Sequence, residues 1–207
     1  MRAVIWDLGG TLVDTYPDVD RALARAIQDP PSDALLHEVA LLTRVSSGHA
    51  VSTLAARHAV PEPQLRAAYE STKEQWRTDP APVMAGAREV IAAVHEAGGL
   101  NLVATHRERG SAAALLAALD LRLDDMVCAP DGYPRKPDPA MHLALLARHG
   151  LAAADCLAVG DRSADVEAAA AAGVRGVLLQ TPGITLEAGR AAERIDRLEQ
   201  LLALLRD

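Results

Sequence analysis

The sequence predicts an α/β protein in which a parallel sheet is flanked by helices and carries an inserted all-α domain. Two observations support this fold class. Short apolar runs alternate with helix-like segments over most of the 207 residues, which is typical of a parallel sheet with crossover helices. The interval 16–80 instead shows only amphipathic helix patterns. We therefore expect a core domain formed by residues 1–15 and 81–207, and a helical domain formed by residues 16–80.

Five apolar runs are the candidate strands of the core domain. They are residues 3–6, 100–104, 126–129, 156–159 and 176–179. The helix-like segments between and around them are residues 87–97, 108–119, 139–149 and 164–172. Gly98 and Gly173 directly follow two of these segments, where a left-handed residue commonly ends a helix. A last segment, residues 194–207, repeats leucine at helical spacing and predicts a closing helix.

Two apolar stripes in the interval 16–80 predict amphipathic helices. One stripe consists of Leu35, Val39 and Leu42, and the other of Leu65, Tyr69 and Trp76. Prolines punctuate the interval between these stripes and at its end. The two connections to the core domain, near residues 15–16 and 78–83, are placed where hinges are expected.

Composition and charge argue against several classes of partner. The net charge is −7 and the only lysines are Lys73 and Lys136, so the basic stripe that a nucleic-acid groove needs is not visible. No apolar run approaches the roughly 20 residues needed to cross a bilayer, and no signal-peptide pattern is recognised. Cys128 and Cys156 show neither disulfide nor metal-site spacing. We expect a cytoplasmic protein with free thiols that binds neither nucleic acid nor membranes.

Polar residues close three of the candidate strands. Asp7 follows the first strand, Thr105 the second, and Asp161 the fourth, with Asp165 four residues later. Lys136 lies in a loop before a helix. Because ligands gather outside the carboxyl ends of the strands in a parallel sheet, we expect these five side chains to lie at one edge.

Such a set of side chains has a chemical logic. Three neighbouring carboxylates repel one another strongly unless a cation lies between them, and a few hard oxygen ligands suit Mg²⁺, which commonly shares an oxygen of a phosphate. Thr105 and Lys136 are then placed to contact the oxygens of a transferring phosphoryl group. Asp7 is left to attack phosphorus and form an aspartyl-phosphate. Gly9 and Gly10 allow the backbone to approach the metal and the phosphate closely.

Four segments resemble the motifs of the haloacid dehalogenase-like (HAD) hydrolases. They are "DLGGT" from Asp7, "LVATH" around Thr105, "KPDP" from Lys136 and "GDRSAD" from Gly160. The resemblance implies a Rossmann-like core, a C1-type cap domain at residues 16–80 as in subfamily I, dependence on Mg²⁺, and phosphatase activity on phosphoric monoesters.

The resemblance also implies individual roles. Asp7 would be the nucleophile, and Thr105 and Lys136 would stabilise the phosphate. The metal ligands would be the side chains of Asp7, Asp161 and Asp165 and the backbone carbonyl of Gly9. The candidate substrate contacts beside these residues are Gly10, Thr11, His106 and Arg107, and those in the cap are Arg44, Ser47 and His49. His106 and Arg107 either orient substrate or are solvated, and a plain helix–helix turn explains the cap loop at least as well as a specificity role.

Gly9 stands where phosphatases of this family usually carry a second acid. That acid protonates the leaving oxygen and then activates water, and help of this kind contributes typically ~10²–10⁴-fold. Three hypotheses remain. The protein is a phosphatase that is slow or acts on a good leaving group, or it performs another Asp-nucleophile reaction such as phosphonate or halide cleavage, or it is a non-catalytic binder of phospholigands or of a protein partner. We expect the first, with a small phosphorylated metabolite as substrate and a monomer or homodimer as the assembly.

Overall fold

The structure is a computed structural model, and it describes residues 1–184 and 193–205. The chain divides into two compact units. One consists of Met1–Val13 together with Val83–Asp207, and the other of Asp14–Pro82. The strands described for the chain belong to the first unit, whereas the second unit is built from helices.

Four helices form the second unit: α1 Tyr16–Ile27, α2 Asp33–Val45, α3 Ser47–His58 and α4 Glu62–Gln75. The sequence starts each of them with a recognisable signal. The hydroxyls of Ser32 and Ser46 accept backbone N–H groups in the first turns of α2 and α3. Pro17 and Pro63 lie in the first turns of α1 and α4, where the missing N–H costs no hydrogen bond. The predicted helical character of this interval is therefore confirmed.

The first unit contains a parallel sheet. Its strands are β1 Ala3–Trp6, β2 Leu100–Thr105, β3 Asp125–Cys128, β4 Cys156–Gly160, β5 Arg175–Leu179 and β6 Glu193–Ile195. Their order across the sheet is β3-β2-β1-β4-β5-β6, and each neighbouring pair is parallel. All four residues of β1 are buried, which is why its sequence is continuously apolar rather than alternating. The predicted parallel sheet is confirmed.

The helices of the first unit alternate with these strands. They are α5 Ala87–Glu96, α6 Arg109–Ala118, α7 Ala140–His149, α8 Ser163–Ala171 and the short α9 Leu201–Leu204. Their alternation with the strands explains how parallel neighbours are connected, since a parallel pair needs a crossover. Gly98 and Gly173 follow α5 and α8 with φ angles of 74° and 76°, as the sequence predicts for residues that end helices.

Mostly aliphatic side chains form the core cluster of the first unit, and the chain contains no phenylalanine. The indole N–H of Trp6 donates to Asn101 Oδ1 at 3.0 Å, so that two buried polar groups satisfy each other. Cys128 and Cys156 are buried free thiols, as expected. Among the residues that the structure describes, no helix combines the length and the apolar character that a bilayer span requires.

The prediction of one closing helix over residues 194–207 is wrong in its first half. Residues Glu193–Ile195 form β6, and a 3₁₀ turn, Leu198–Gln200, precedes α9. Ile195, Leu198 and Leu201 are all buried. They are three residues apart, which resembles one face of a helix, although Ile195 belongs to β6. Residues 206 and 207 lie outside the described residues.

Candidate active site

The carboxyl ends of β1, β2 and β4 place three of the predicted side chains at one edge of the sheet. Asp7 follows β1, and its backbone N–H donates to the carbonyl of Val159 in β4 at 2.9 Å. Thr105 is the last residue of β2, and Asp161 follows β4 directly. Since β1 lies between β2 and β4, residues far apart in the sequence become neighbours at the edge where parallel sheets bind ligands.

Three carboxylates form a buried cluster at this edge. Asp7, Asp161 and Asp165 each offer an oxygen, and these oxygens lie within 4.8 Å of one another. The hydroxyl of Thr11 donates to Asp161 Oδ1 at 2.9 Å and holds that carboxylate in place. A small set of buried carboxylate oxygens is the kind of donor set that Mg²⁺ uses, so the residues present fit this ion.

Lys136 neutralises part of this negative charge. Its Nζ lies 2.5 Å from Asp7 Oδ1 and 2.5 Å from Asp165 Oδ1, and it also donates to the carbonyl of Ala104 at 2.9 Å. Its side chain is 1 % exposed. A buried ammonium is costly unless it is paired and hydrogen-bonded, and here Nζ donates to Asp7 and to the carbonyl of Ala104 and forms an ion pair with Asp165.

The two aspartates that share Lys136 have pKa values shifted in opposite directions. Burial raises the pKa of Asp7, and the nearby charge of Lys136 offsets this only in part. Burial acts in the same sense on Asp165, but the charges of Lys136 and Arg162 outweigh it and lower the pKa of Asp165 to about 2. The pKa of Lys136 itself is raised, because Asp165 and Asp7 outweigh the opposing effect of burial. The cluster therefore keeps a charged acceptor, Asp165, beside a lysine that stays protonated.

Thr105 accepts a hydrogen bond from the backbone two residues further on, and His106 holds the loop that carries Lys136. The backbone N–H of Arg107 donates to Thr105 Oγ1 at 3.1 Å, which leaves the hydroxyl proton of Thr105 as a donor. The backbone N–H of Lys136 donates to His106 Nε2 at 2.8 Å. That ring nitrogen must therefore be unprotonated, and burial followed by the charge of Lys136 lowers the pKa of His106 to about 3. His106 is therefore neutral. Its Nε2 accepts the bond from the backbone of Lys136, so only Nδ1 can contact a substrate.

The loop after Asp7 closes tightly against the strand. Gly10 adopts a φ of 95°, a backbone conformation that favours glycine, and its N–H donates to the carbonyl of Val13 at 2.8 Å. Gly9 forms an isolated bridge with Val13 and is not among the glycines with a positive φ. The backbone at Gly10 thus requires glycine, whereas the backbone at Gly9 does not.

The three candidate residues of the second unit have different surroundings. Arg44 is buried, its Nη1 lies 2.6 Å from Asp20 Oδ2, and its guanidinium stacks over the ring of Tyr16 at 3.6 Å. Ser47 is half-buried and His49 is exposed in the first turn of α3. The charge of Arg44 is engaged inside its own unit, so a role for Arg44, Ser47 and His49 in contacting substrate stays a prediction.

Sequence reasoning did not single out two residues that shape the cluster. Arg162 lies between the two aspartates of "GDRSAD" and places its guanidinium near both Asp7 and Asp165. Gly160, the last residue of β4, faces the side chain of Asp165 so closely that an added Cβ would lie 2.2 Å from the Asp165 Cβ. The glycine of the motif could have signalled such a close approach, since glycine at a strand end commonly marks one.

Replacing Gly160 by alanine is expected to displace the Asp165 carboxylate and to destabilise the fold. A contact of 2.2 Å cannot exist, so Asp165 or the strand must shift, and overpacking of this kind costs about 1–3 kcal/mol. Urea unfolding measures this decrease in the free energy of unfolding. Gly48→Ala is the matched control, because a Cβ there meets nothing within 4 Å. Equal stability of Gly160→Ala and wild type would contradict this account of the site.

A buried histidine behind the site makes stability depend on pH. His142 is 3 % exposed, and burial followed by the charge of Lys136 lowers its pKa from 6.5 to about 4. Below pH 6.5 His142 binds a proton in the unfolded chain but stays neutral in the folded chain. The free energy of unfolding therefore falls as the pH falls toward 4. At pH 5 the loss from this residue is about 2 kcal/mol.

His142→Leu is therefore expected to reduce the stability difference between pH 8 and pH 5. Urea unfolding at both pH values measures that difference, and His37→Leu on the exposed face of α2 is the control. An unchanged difference in His142→Leu would show that folding does not lower the pKa of this imidazole.

Comparisons with known proteins agree with this arrangement. A family model described as haloacid dehalogenase-like hydrolase matches residues 1–173. The phosphoglycolate phosphatase of Rhodospirillum rubrum is 34 % identical over 192 residues, covering 86 % of this chain and 79 % of the relative. The phosphoglycolate phosphatase of a Pseudomonas fluorescens strain is 30 % identical over 192 residues, covering 86 % and 69 %.

Two solved structures show the same fold. A HAD family hydrolase from Deinococcus radiodurans with bound phosphate and sodium superimposes with a TM-score of 0.82 at 23 % identity, covering 99 % of this chain and 95 % of the other. The CbbY protein from Rhodobacter sphaeroides in complex with phosphate gives a TM-score of 0.74 at 21 % identity and covers both chains completely. At these identities the two structures support the fold alone.

Proposed function

We propose that this chain, which belongs to the haloacid dehalogenase-like hydrolases, is a Mg²⁺-dependent phosphatase that acts on a small phosphorylated metabolite through Asp7. The family match confirms the prediction, made from the four motifs, that this chain is a hydrolase of the haloacid dehalogenase-like family. The observation that carries the proposal is the buried Asp7, whose Oδ1 lies 2.5 Å from Lys136 Nζ in a cluster with two further carboxylates.

Asp7 is the proposed nucleophile. A carboxylate oxygen of Asp7 attacks phosphorus, and the bond to the leaving oxygen breaks. The leaving oxygen keeps the electron pair and takes a proton from solvent, and an aspartyl-phosphate remains on Asp7. Water then attacks this phosphorus, which releases inorganic phosphate and regenerates the carboxylate. Lys136 supports both steps, because its ammonium is already beside the attacking oxygen and stabilises charge that develops on the phosphoryl group.

Asp7, Asp161, Asp165 and the carbonyl of Gly9 are the residues proposed to hold Mg²⁺. When bound, the ion would neutralise a phosphate oxygen and orient the phosphoryl group for attack. Thr105 is proposed to donate its hydroxyl proton to a phosphoryl oxygen, while Gly10 and Thr11 shape the loop around it. These roles agree with the burial of the three aspartates at one sheet edge.

The second unit is proposed to be a C1-type cap that selects the substrate. The relatives named phosphoglycolate phosphatase make phosphoglycolate the first compound to test. Arg44, Ser47 and His49 of the cap, together with His106 and Arg107 of the core, are the proposed contacts with the part of the substrate that leaves. A cytoplasmic location and a monomeric or homodimeric state stay predictions.

Turnover of activated phosphates tests the proposal. Purified protein is expected to hydrolyse p-nitrophenyl phosphate and acetyl phosphate with Mg²⁺ and to lose this activity in EDTA, and phosphoglycolate is compared in the same assay. If no phosphate is turned over at any Mg²⁺ concentration while inorganic phosphate still binds, the chain is a phospholigand-binding protein. Turnover that persists without any divalent ion would contradict the metal-dependent mechanism.

A further inference from the structure

Arg162 places a second cation beside the proposed nucleophile. Its Nη2 lies 3.7 Å from Asp7 Oδ1, and its Nε lies 3.7 Å from Asp165 Oδ2. Both distances lie within the range of an ion pair and beyond that of a hydrogen bond. The side chain is only 16 % exposed, so its orientation is largely set by the fold.

The position of Arg162 is unfavourable for the helix that it starts. Arg162 is the N-cap residue of α8, and its backbone N–H donates to Asp165 Oδ2 at 3.0 Å. Serine, threonine, aspartate and asparagine are preferred at this position, and the partial positive charge of a helix N-terminus disfavours a cation. Violations of local rules such as this one are expected at functional or strained sites.

We propose that Arg162 is a catalytic residue that contacts the transferring phosphoryl group together with Lys136. The inference rests on the proposed function of Asp7. Phosphorus must come within about 3–3.5 Å of the attacking oxygen, and both cations already flank Asp7 Oδ1, at 2.5 Å for Lys136 and 3.7 Å for Arg162. The oxygens of the phosphoryl group then lie within reach of both side chains. A planar guanidinium suits this task, because it donates two parallel hydrogen bonds to a phosphate.

The charges of the site support this role. When all three carboxyl groups are ionised, Asp7, Asp161 and Asp165 contribute three negative charges against the two positive charges of Lys136 and Arg162, which leaves one net negative charge. One divalent ion makes the site net positive and attractive to a phosphate dianion. Because Gly9 offers no proton to the leaving oxygen, the negative charge of the transition state must be stabilised by fixed cations to a greater degree.

Calorimetric titration with inorganic phosphate in the presence of Mg²⁺ tests the inference. Arg162→Gln is expected to raise the Kd for phosphate about 10- to 100-fold, the range of one charged hydrogen bond. Arg162→Lys keeps the charge but loses the planar fork, so an intermediate Kd is expected. Arg122→Gln is the matched control, because Arg122 is exposed in the loop before β3, at the opposite end of the strands.

Titration with Mg²⁺ alone separates a phosphate contact from a structural role. Removing a cation beside Asp7 and Asp165 should leave Mg²⁺ affinity unchanged or higher, whereas a collapsed site would lose affinity for both ligands. Wild-type phosphate affinity in Arg162→Gln, or a parallel loss of Mg²⁺ and phosphate binding in both variants, overturns the inference. If Arg162→Gln fails to fold, the Kd of Arg162→Lys for phosphate decides: a raised Kd supports the inference, and a wild-type Kd overturns it. If Arg162→Gln weakens phosphate binding but the wild-type protein turns over no phosphate, Arg162 contacts phosphate in a binding protein, and both its catalytic role and the proposed phosphatase activity are refuted.

Discussion

Replacing Asp7 by asparagine is expected to abolish phosphate turnover, with a loss of about 10⁴-fold or more in kcat. Asparagine has nearly the same shape, but its amide is not a nucleophile and cannot form an aspartyl-phosphate. The fold should survive, because Lys136 keeps its contacts with Asp165 and Ala104. Burial disfavours the charge of Asp7, so removing that charge should not lower the melting temperature strongly.

Acid-quenched wild-type protein gives an independent check on the same residue. Mass spectrometry should detect phosphorylated Asp7 during turnover of acetyl phosphate, and no such adduct should form in Asp7→Asn. Asp155→Asn, at an exposed position before β4, is the control for loss of a carboxylate elsewhere. Undiminished turnover in Asp7→Asn would remove Asp7 from the role of nucleophile, and an adduct that accumulates without release would place the slow step in its hydrolysis.

The sequence predicted the sheet and its edge residues because both follow local rules. Apolar runs of four or five residues predict β1 to β5 to within one residue at each end. Polar residues at strand ends then converge, since the carboxyl ends of parallel strands share one edge. Strand β6 was missed because its three residues, Glu193–Ile195, contain a single apolar side chain and owe their extended form to pairing with β5.

The electrostatic details of the site could not be obtained from spacing. Nothing in "RKPDP" indicates that Lys136 bridges Asp7 and Asp165, because that contact joins three separate segments of the chain. The same holds for His106, whose ring nitrogen is used by the backbone of Lys136 rather than left for substrate. Motifs identify which residue types assemble, whereas charge and hydrogen-bond partners depend on tertiary distances.

Introducing an acid at Gly9 is expected to raise kcat on substrates with poor leaving groups. An aspartic acid two residues after Asp7 would, in its protonated form, give its proton to the leaving oxygen, and the resulting carboxylate would then activate water, an effect of typically ~10²–10⁴-fold. The backbone permits the change, since Gly9 is not among the residues with a positive φ. The measurement is kcat for a series of phosphate monoesters of rising leaving-group pKa, from p-nitrophenyl phosphate to an alkyl phosphate. Wild type should slow steeply along the series, and Gly9→Asp should flatten the slope.

Gly9→Asn separates proton transfer from size and hydrogen bonding. Asparagine has the shape of aspartate but cannot donate a carboxylic proton, so it should leave the steep dependence on the leaving group unchanged. The added carboxylate also makes the cluster of Asp7, Asp161 and Asp165 more negative, and Mg²⁺ affinity should therefore rise in Gly9→Asp alone. The missing acid would not limit this site if kcat on alkyl phosphates were the same in Gly9→Asp as in wild type. The same would follow if kcat rose equally in Gly9→Asn. Catalysis would then depend on the fixed charges of Lys136 and Arg162 beside Asp7 Oδ1.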